Sequence, residues 1–575
     1  MRNFLILFLL CNSTTVVAQN ISTVFEQSGG KETPDYATII SWWKKLDLAS
    51  DKVKLFTMGP TDAGYPLHLA LVSTDKDFNI ASLHKKQKSI LLINNGIHPG
   101  EPDGIDASML LARDIATGKM ALPENIVLAI IPVYNIGGCL NRSANYRVNQ
   151  NGPEEFGFRG NSQNLDLNRD FIKNDSKEAR SFARIFHFLD PDILIDNHVS
   201  DGADYQHVIS LLSSQHNKLG GPLGAYLNNT LEPAIYSLMK EKGYDLVPYV
   251  NAFEDTPESG WPEFFDSPRF SSGYAALWGT LAFMPETHML KPFAQRVRAT
   301  YALMECFIRF THENAATIRT IRNQTKSLAK SQNEFPISWE PDRDKYKEID
   351  FRGFAVEHKP SNISGQPRLY YDRSRPFEKN VKFYNEYKPG IIISKPVAYI
   401  IPQGWWKVIE ILKANQVNMI PFLKDTMVEV EIYHVEDYKS LPRAYEGHHI
   451  NSAVKTSIEI RKMSFRKGDY SIPMNQAANR YLMEVLEPQG GDSFFAWNFF
   501  DAILGQKEGY SDYVFEETAE EYLKNHPELQ AKLAKLKAAD SAFAKNGRAQ
   551  LNFIFKNSPY YEPDHLRYPV YRVTH

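Results

Sequence analysis

The sequence predicts an α/β fold. A mixed, mostly parallel sheet flanked by helices fills the first half of the chain, and an α+β accessory domain follows. Three observations predict this. Between Tyr36 and Asp196, continuous apolar runs alternate with stretches of helical spacing. Those runs lack the polar alternation of a half-exposed strand, so they belong to a sheet covered on both faces. Beyond the polar stretch at 322–348, the pattern changes to long alternating strands and charged helices.

The elements follow in order. "DYATIISWWKKLD" puts Ile39, Ile40, Trp43 and Leu46 at helical spacing. "YPLHLALVS", "SILLINNG" and "NIVLAIIPVYN" read as strands, and "GIDASMLLARDIATG" as a helix ending at Gly118. "SKEARSFARIFHFLD" is a further helix and "PDILIDNH" a further strand. In the second block, "KPVAYIIPQGWWKVIEILKANQV" reads as strand, turn and helix. "MVEVEIYHVEDY" and "TSIEIRKMSF" alternate as half-exposed strands, and "FFAWNFFDAIL" is an aromatic helix or core segment. "AEEYLKNHPELQAKLAKLKAADSAFAKNG" is helical with a solvated charged face.

A chain of 575 residues exceeds what one core supports, and at about 150 residues per domain it holds two to four domains. The expected divisions are a signal segment at 1–18, a main domain at 19–325, a linker at 326–348 and the accessory domain at 349–575. A net charge of −3 provides no basic surface for nucleic acid. The N-terminus has one arginine, the apolar run Phe4–Leu10 and then Val16, Val17 and Ala18. This is the pattern of a secretory signal cleaved after Ala18, and it implies a periplasmic or secreted protein. The apolar run is too short to span a bilayer, which takes about 20 residues. Lipid attachment at Cys11 is disfavoured by the bulky Leu10 before it. Cys139 and Cys306 then remain, either paired or as two buried thiols.

The chemistry gathers around "NNGIHPGEPDG" at 94–104. His98 and Glu101 follow a strand and precede a helix, which places them at a carboxyl edge of the sheet, where sites form in such folds. Alone the pattern is weak, since about one His-x-x-Glu is expected by chance. His198, after the apolar strand of "DILIDNHVSDG", supplies a third ligand. Two histidines and a glutamate, with water in the fourth place, form the open set of a catalytic zinc. His207 is read as a loop or pocket-wall residue. Asn168 and Arg169 in "NSQNLDLNRDF" make a fork for a carboxylate, or else an N-cap and a surface arginine. Glu286, at the end of the apolar run in "TLAFMPETHML", suits a general base, or else a helix start or an ion pair.

The order of these pieces resembles the zinc carboxypeptidase A-like metallopeptidase family over roughly residues 33–320. The resemblance implies one zinc ion held by His98, Glu101 and His198, with Glu286 as general acid/base. Asn168 and Arg169 match the pair that binds the substrate's terminal carboxylate. Asp166 matches the carboxylate that orients a zinc histidine. Arg159 in "FGFRGN" resembles the arginine that stabilises the oxyanion, with Arg147 as its rival. The implied substrate is a peptide with a free C-terminal carboxylate, cut at its last bond.

The chain also departs from the family. "NIGG" at 135–138 stands where many members have "NPDG". Tyr274 in "RFSSGYAAL" is the candidate for the phenol that closes over substrate, and the base of the specificity pocket is expected within Ser271–Trp278. Arg269 is either a contact for an acidic side chain or an ordinary surface arginine. The short stretch between signal and first helix implies no inhibitory pro-domain. Two other functions fit the same residues: hydrolysis of peptidoglycan stem peptides by the same chemistry, and a non-catalytic binding protein on a retained fold. In the C-terminal block, the adjacent His448 and His449 of "EGHHI" are read as lying on a strand and pointing to opposite faces, so they do not share a metal.

Overall fold

The computed structural model describes residues 21–252 and 256–574. The signal segment at 1–18, with Cys11, lies outside the described residues. The chain divides into two compact units. The first runs through Lys395 and includes Ile409–Asn418 and Met474–Asp492; the second comprises Pro396–Val408, Met419–Pro473 and Ser493–His575.

A nine-stranded sheet organises the first unit. Its strands are β1 (Val53–Pro60), β2 (Pro66–Val72), β3 (Ser89–Asn94), β4 (Ile126–Ile131), β5 (Ile193–Asp196), β6 (His198–Ser200), β7 (Ile209–Ser213), β8 (Val247–Pro248) and β10 (Leu281–His288). A short β9 (Trp261–Pro262) pairs elsewhere. The sheet order is β1-β2-β4-β3-β5-β10-β7-β8, and β6 continues β5 along β10. β3, β4, β5, β6 and β10 run parallel, whereas β1, β2 and β7 bring antiparallel pairings. The sheet is therefore mixed with a parallel centre, as the uninterrupted apolar runs predict.

Both faces are covered. Leu91, Ile93, Leu128, Ile130, Ile193, Ile195 and Phe283 share one core with the helices Tyr36–Ala49, Asp103–Ala116 and Phe293–Ser331. The alternate residues Ile90, Leu92, Val127, Ala129 and Leu194 are equally buried on the other face. That face carries an aromatic cluster of Tyr134, Phe171, Phe182, Phe186 and Tyr274. Polar side chains set the helix starts. Asp35 accepts from the Thr38 amide at 2.8 Å, and Ser176 from the Ala179 amide at 3.0 Å. Asp190 ends the helix Lys177–Leu189 in a left-handed turn and returns the chain to β5.

The stretch at 326–348, read as a linker, is structured. The helix Phe293–Ser331 takes its first residues, and the pairs Glu334–Pro336 with Ile392–Ser394 and Trp339–Pro341 with Tyr387–Pro389 follow. Its polarity misleads because some polar groups just before it serve long-range contacts. Arg322 is buried and donates to the Gly279 carbonyl at 3.0 Å and to Asp192 at 2.6 Å. A long hairpin, Lys347–Pro360 with Pro367–Tyr384, also belongs to the first unit. The second unit therefore begins at Pro396 rather than at residue 349.

The second unit holds a six-stranded sheet, in the order Ile420–Pro421, Tyr470–Pro473, Ala398–Ile401, Tyr571–Val573, Thr426–Ser440 and Asn451–Phe465. The aromatic run is core: Phe494, Phe495, Trp497 and Phe500 are fully buried. The helices Asp512–Lys524, Pro527–Ala539 and Gly547–Lys556 enclose a cluster of Phe515, Leu533, Leu551 and Phe555. His448 and His449 lie in a turn closed by Tyr445 and His448, not on a strand. Cys139 and Cys306 are both buried free thiols. No described helix is long and apolar enough to cross a membrane.

Candidate metal centre

Three ligand-type side chains converge at the carboxyl edge of the central strands. His98 and Glu101 sit in the loop after β3, and His198 opens β6. Their ligand atoms all lie within 4.8 Å of one another, and the three residues are buried. His98 Nδ1 is 3.3 Å from Glu101 Oε1, and His198 Nδ1 is 3.2 Å from Glu101 Oε2. Ligands bound tetrahedrally to zinc stand about 3.4 Å apart, so this donor set fits one such ion. His98 Nδ1 is buried with no hydrogen-bond partner, as a nitrogen reserved for a metal would be.

The fold explains the convergence. The Glu101 amide donates to the His98 carbonyl at 2.8 Å, closing a turn that points both side chains the same way. Gly104 lets the next helix approach the β5–β6 junction, because a Cβ there would lie 2.4 Å from the Asn197 Cβ. Asp103, at the helix start, is paired with the fully buried Arg296 at 2.9 Å.

Each histidine has a carboxylate beside its far nitrogen, hydrogen-bonded for His98 and in ion-pair contact for His198. His98 Nε2 is 2.8 Å from Asp166 Oδ1, and His198 Nε2 is 3.2 Å from Asp196 Oδ2. A proton held on Nε2 leaves the Nδ1 lone pair facing the centre. Asp166 was expected beside a zinc histidine, whereas Asp196 escaped the sequence reading. Its signal was the carboxylate two residues before His198 at the end of β5. Burial would lower the His198 imidazole, but Asp196 and Glu101 prevail and raise it well above its ordinary value. Burial alone would raise Glu101, but His98 and Arg147 hold it well below the usual carboxylate range.

The triad opens on a cleft of about 170 Å³ that Glu286, Arg147, Arg159, Asn168 and Arg169 also line. Glu286 pairs in register with His198 across β10 and β6. Burial pushes its carboxyl up to about 8 against the pull of His198, and Glu101 adds to the rise. Arg147 donates to Glu101 Oε1 at 2.7 Å and to the Val199 carbonyl at 2.9 Å. Arg159 donates to Asp166 at 3.0 Å and keeps a half-exposed guanidinium at the cleft. Asn168 Oδ1 is buried without a hydrogen-bond partner, and Arg169 lies 4.6 Å over the Phe270 ring. "NIGG" supports this side. Asn135 donates to the carbonyls of Ile97 and Arg159, at 3.2 and 2.9 Å, and so ties the His98 loop to the Arg159 loop. A Cβ on Gly138 would lie 2.4 Å from the Phe158 carbonyl oxygen.

Tyr274 does not reach the cleft. It is fully buried in the helix Ser271–Leu277, and its hydroxyl donates to Asn415 Oδ1 at 2.6 Å. Its ring packs against Phe171 and Phe186, and this apolar surrounding holds it away from the sheet edge. The phenol that does line the cleft is Tyr249, just after β8. The stretch Ser271–Trp278 does not form the pocket base either. Phe264 and Phe270, which precede it, line the cleft with Leu212 and Met284. Sequence signals for this wall were poor, since isolated aromatics in loops are common. Arg269 is bound to Asp492 at 2.8 Å. His207 bonds to the Asp245 carbonyl and accepts from the Arg352 amide, outside the cleft.

Residues 39–187 match the family model described as zinc carboxypeptidase. Comparison with curated proteins gives no match. Among solved structures, the chain is similar to a metallo-carboxypeptidase from Burkholderia cenocepacia, with 16% identity over 49% of this chain and 69% of that one, at a TM-score of 0.35. It is similar to a metallo-carboxypeptidase from Pseudomonas aeruginosa, with 15% identity over 48% and 68% of the two chains and a TM-score of 0.36. For the carboxypeptidase A from Helicoverpa armigera, the identity is 14%, the coverage 49% and 74%, and the TM-score 0.37.

Proposed function

We propose, on the match of residues 39–187 to the zinc carboxypeptidase family model, that the protein is an exported metallocarboxypeptidase that hydrolyses the C-terminal bond of peptides. The observation that carries the reading is the meeting, in one cleft, of a His98–Glu101–His198 donor set with Glu286 and with the Asn168–Arg169 pair. Export rests on the signal pattern at residues 1–18.

Each side chain has a task in this reading. His98, Glu101 and His198 would hold a zinc ion, which would supply a Lewis acid for the scissile carbonyl and for water. Glu286 takes the proton of the attacking water and returns it to the leaving amine nitrogen. It faces the cleft in register with His198, which places one carboxylate for both transfers. Arg159 donates to the carbonyl oxygen as negative charge develops there. Arg147, already committed to Glu101 and Val199, positions the metal-binding carboxylate instead. Asn168 and Arg169 grip the terminal carboxylate, which presents the last peptide bond to Glu286. Asp166 and Asp196 orient the two histidines.

The test is a release assay. Zinc-loaded protein and its Glu286→Gln variant are incubated with blocked dipeptides and with peptidoglycan stem peptides, and freed amino acids are followed by mass spectrometry. Release from the dipeptides is expected, with kcat about 10²–10⁴-fold lower in Glu286→Gln and zinc content unchanged. Release from stem peptides alone would transfer the assignment to cell-wall processing. No release from either, with zinc bound, would leave a binding protein.

A further inference from the structure

The apolar wall of the cleft is backed by a core of its own. Tyr205, Val250, Trp261, Phe351, Val381 and Phe383 pack together as a hydrophobic cluster separate from the main core. Its members come from three places: the loop after β6, the loops around β8 and β9, and the long hairpin Lys347–Tyr384. The hairpin binds both loops through backbone groups. β9 pairs with it at Trp261–Phe383, and the Glu263 amide donates to the Tyr384 carbonyl at 3.0 Å. On the other side, the Gln206 amide donates to the Arg352 carbonyl at 2.9 Å, and Arg373 donates to Asp204 at 2.6 Å.

Trp261 connects this cluster to the cleft. Its indole lies 5.3 Å from the Phe351 ring, centre to centre, and its N–H donates to the Tyr249 carbonyl at 2.9 Å. From Tyr249 a row of side chains continues along the wall. The Tyr249 ring is 5.9 Å from Phe264, Phe264 is 5.1 Å from Phe270, and the Arg169 guanidinium caps Phe270. Phe264 follows the two-residue strand Trp261–Pro262 by two positions.

We propose that Trp261 is a positioning residue for peptide turnover. Seated by the hairpin, it fixes Tyr249 against the cleft and, through the row of rings, steadies Arg169. The inference rests on the carboxypeptidase reading for its effect on turnover, but the positioning itself is a property of this fold. An indole whose N–H serves one backbone carbonyl places that carbonyl's residue more tightly than apolar packing alone, because a hydrogen bond is directional.

A double-mutant cycle tests it. Trp261→Phe keeps an aromatic ring but removes the donor. It is measured alone, in Tyr249→Ala, which takes the ring out of the row, and as the double variant. Trp261→Phe is expected to lower kcat/KM about tenfold, the size of one lost hydrogen bond. In the Tyr249→Ala background, where the ring that links Trp261 to the row is gone, the same change should cost less than about twofold, since coupled residues are non-additive. Equal losses in both backgrounds would overturn the proposal, as would no loss in either. Phe383→Leu, which loosens the seat and leaves the indole, should repeat the non-additivity at smaller size and serves if Trp261→Phe folds poorly. Amide exchange at residues 247–252, measured in the Glu286→Gln protein without substrate, should quicken with Trp261→Phe. Unchanged exchange there overturns the positioning even if no peptide is ever cleaved. Absence of peptide hydrolysis in the wild type, with quickened exchange, overturns only the carboxypeptidase reading.

Discussion

The two walls of the cleft are built on different principles. The wall from β3 to Arg169 is electrostatic: Glu101, Asp166, Arg147 and Arg159 hold one another through charge-assisted hydrogen bonds of 2.7 to 3.4 Å. Its residues lie within the segment that matches the zinc carboxypeptidase family. The wall from Ser200 to Met284 lies beyond that segment and is largely apolar, with Leu212, Tyr249, Phe264, Phe270 and Met284, and a hairpin from farther along the chain packs behind Tyr249 and Trp261. The charged wall carries polar groups whose types and spacing can be read locally. The apolar wall takes its shape from partners up to about a hundred residues away, as Trp261 and Phe351 illustrate.

This contrast can be broken at several points. The largest effect should come from Phe351→Ala, which empties the centre of the cluster behind the apolar wall. It is expected to cost about 3–5 kcal/mol in denaturant unfolding of the first unit, while zinc titration still reports one site at His98, Glu101 and His198. Loss of zinc binding in a folded Phe351→Ala protein would show that the walls are not separable.

Acid should weaken the apolar wall next. Behind that wall His207 packs on Tyr205 and Phe351, and His288 packs on Tyr205; burial lowers each from an ordinary 6.5 to about 4. The unfolded chain therefore binds more protons below pH 6.5. Their contribution to stability is complete above that pH and is lost as pH falls toward 4. At pH 5 the loss is about 2 kcal/mol per histidine. His207→Asn should flatten its share of the slope in melts between pH 5 and 7, and an unaltered slope would remove His207 from the account.

The smallest effect sharpens the charged wall. Asp196→Asn keeps the shape beside His198 but removes the charge that holds its Nε2 proton. Zinc affinity should fall about 10–100-fold, with the melting temperature of the metal-free protein little changed. Equal affinity would mean that the backbone alone orients His198.

Legibility follows the same division. His98, Glu101 and His198 were readable because strand ends are marked by where apolar runs stop, and the sheet brings such ends to one edge. Arg159, Asn168 and Arg169 were readable through the family pattern, and the fold brings them to the same cleft. Tyr274 was the candidate phenol in "RFSSGYAAL". Nothing local revealed that Phe171 and Phe186 would enclose it or that Asn415 would take its hydroxyl. The polar segment at 326–348 was read as a linker because composition does not distinguish solvated polarity from paired polarity.

What the sequence determined by itself is the α/β class, the order of strands and helices, and the identity of the polar groups at the sheet's carboxyl edge. Periodicity of burial and the ends of apolar runs are local properties, and they survive in a bare string of residues. Only the tertiary structure decided which phenol faces the cleft, which carboxylate stands behind His198 and which hairpin braces the apolar wall. Those choices depend on contacts between segments far apart in the chain, and side-chain packing of that kind leaves no spacing to read.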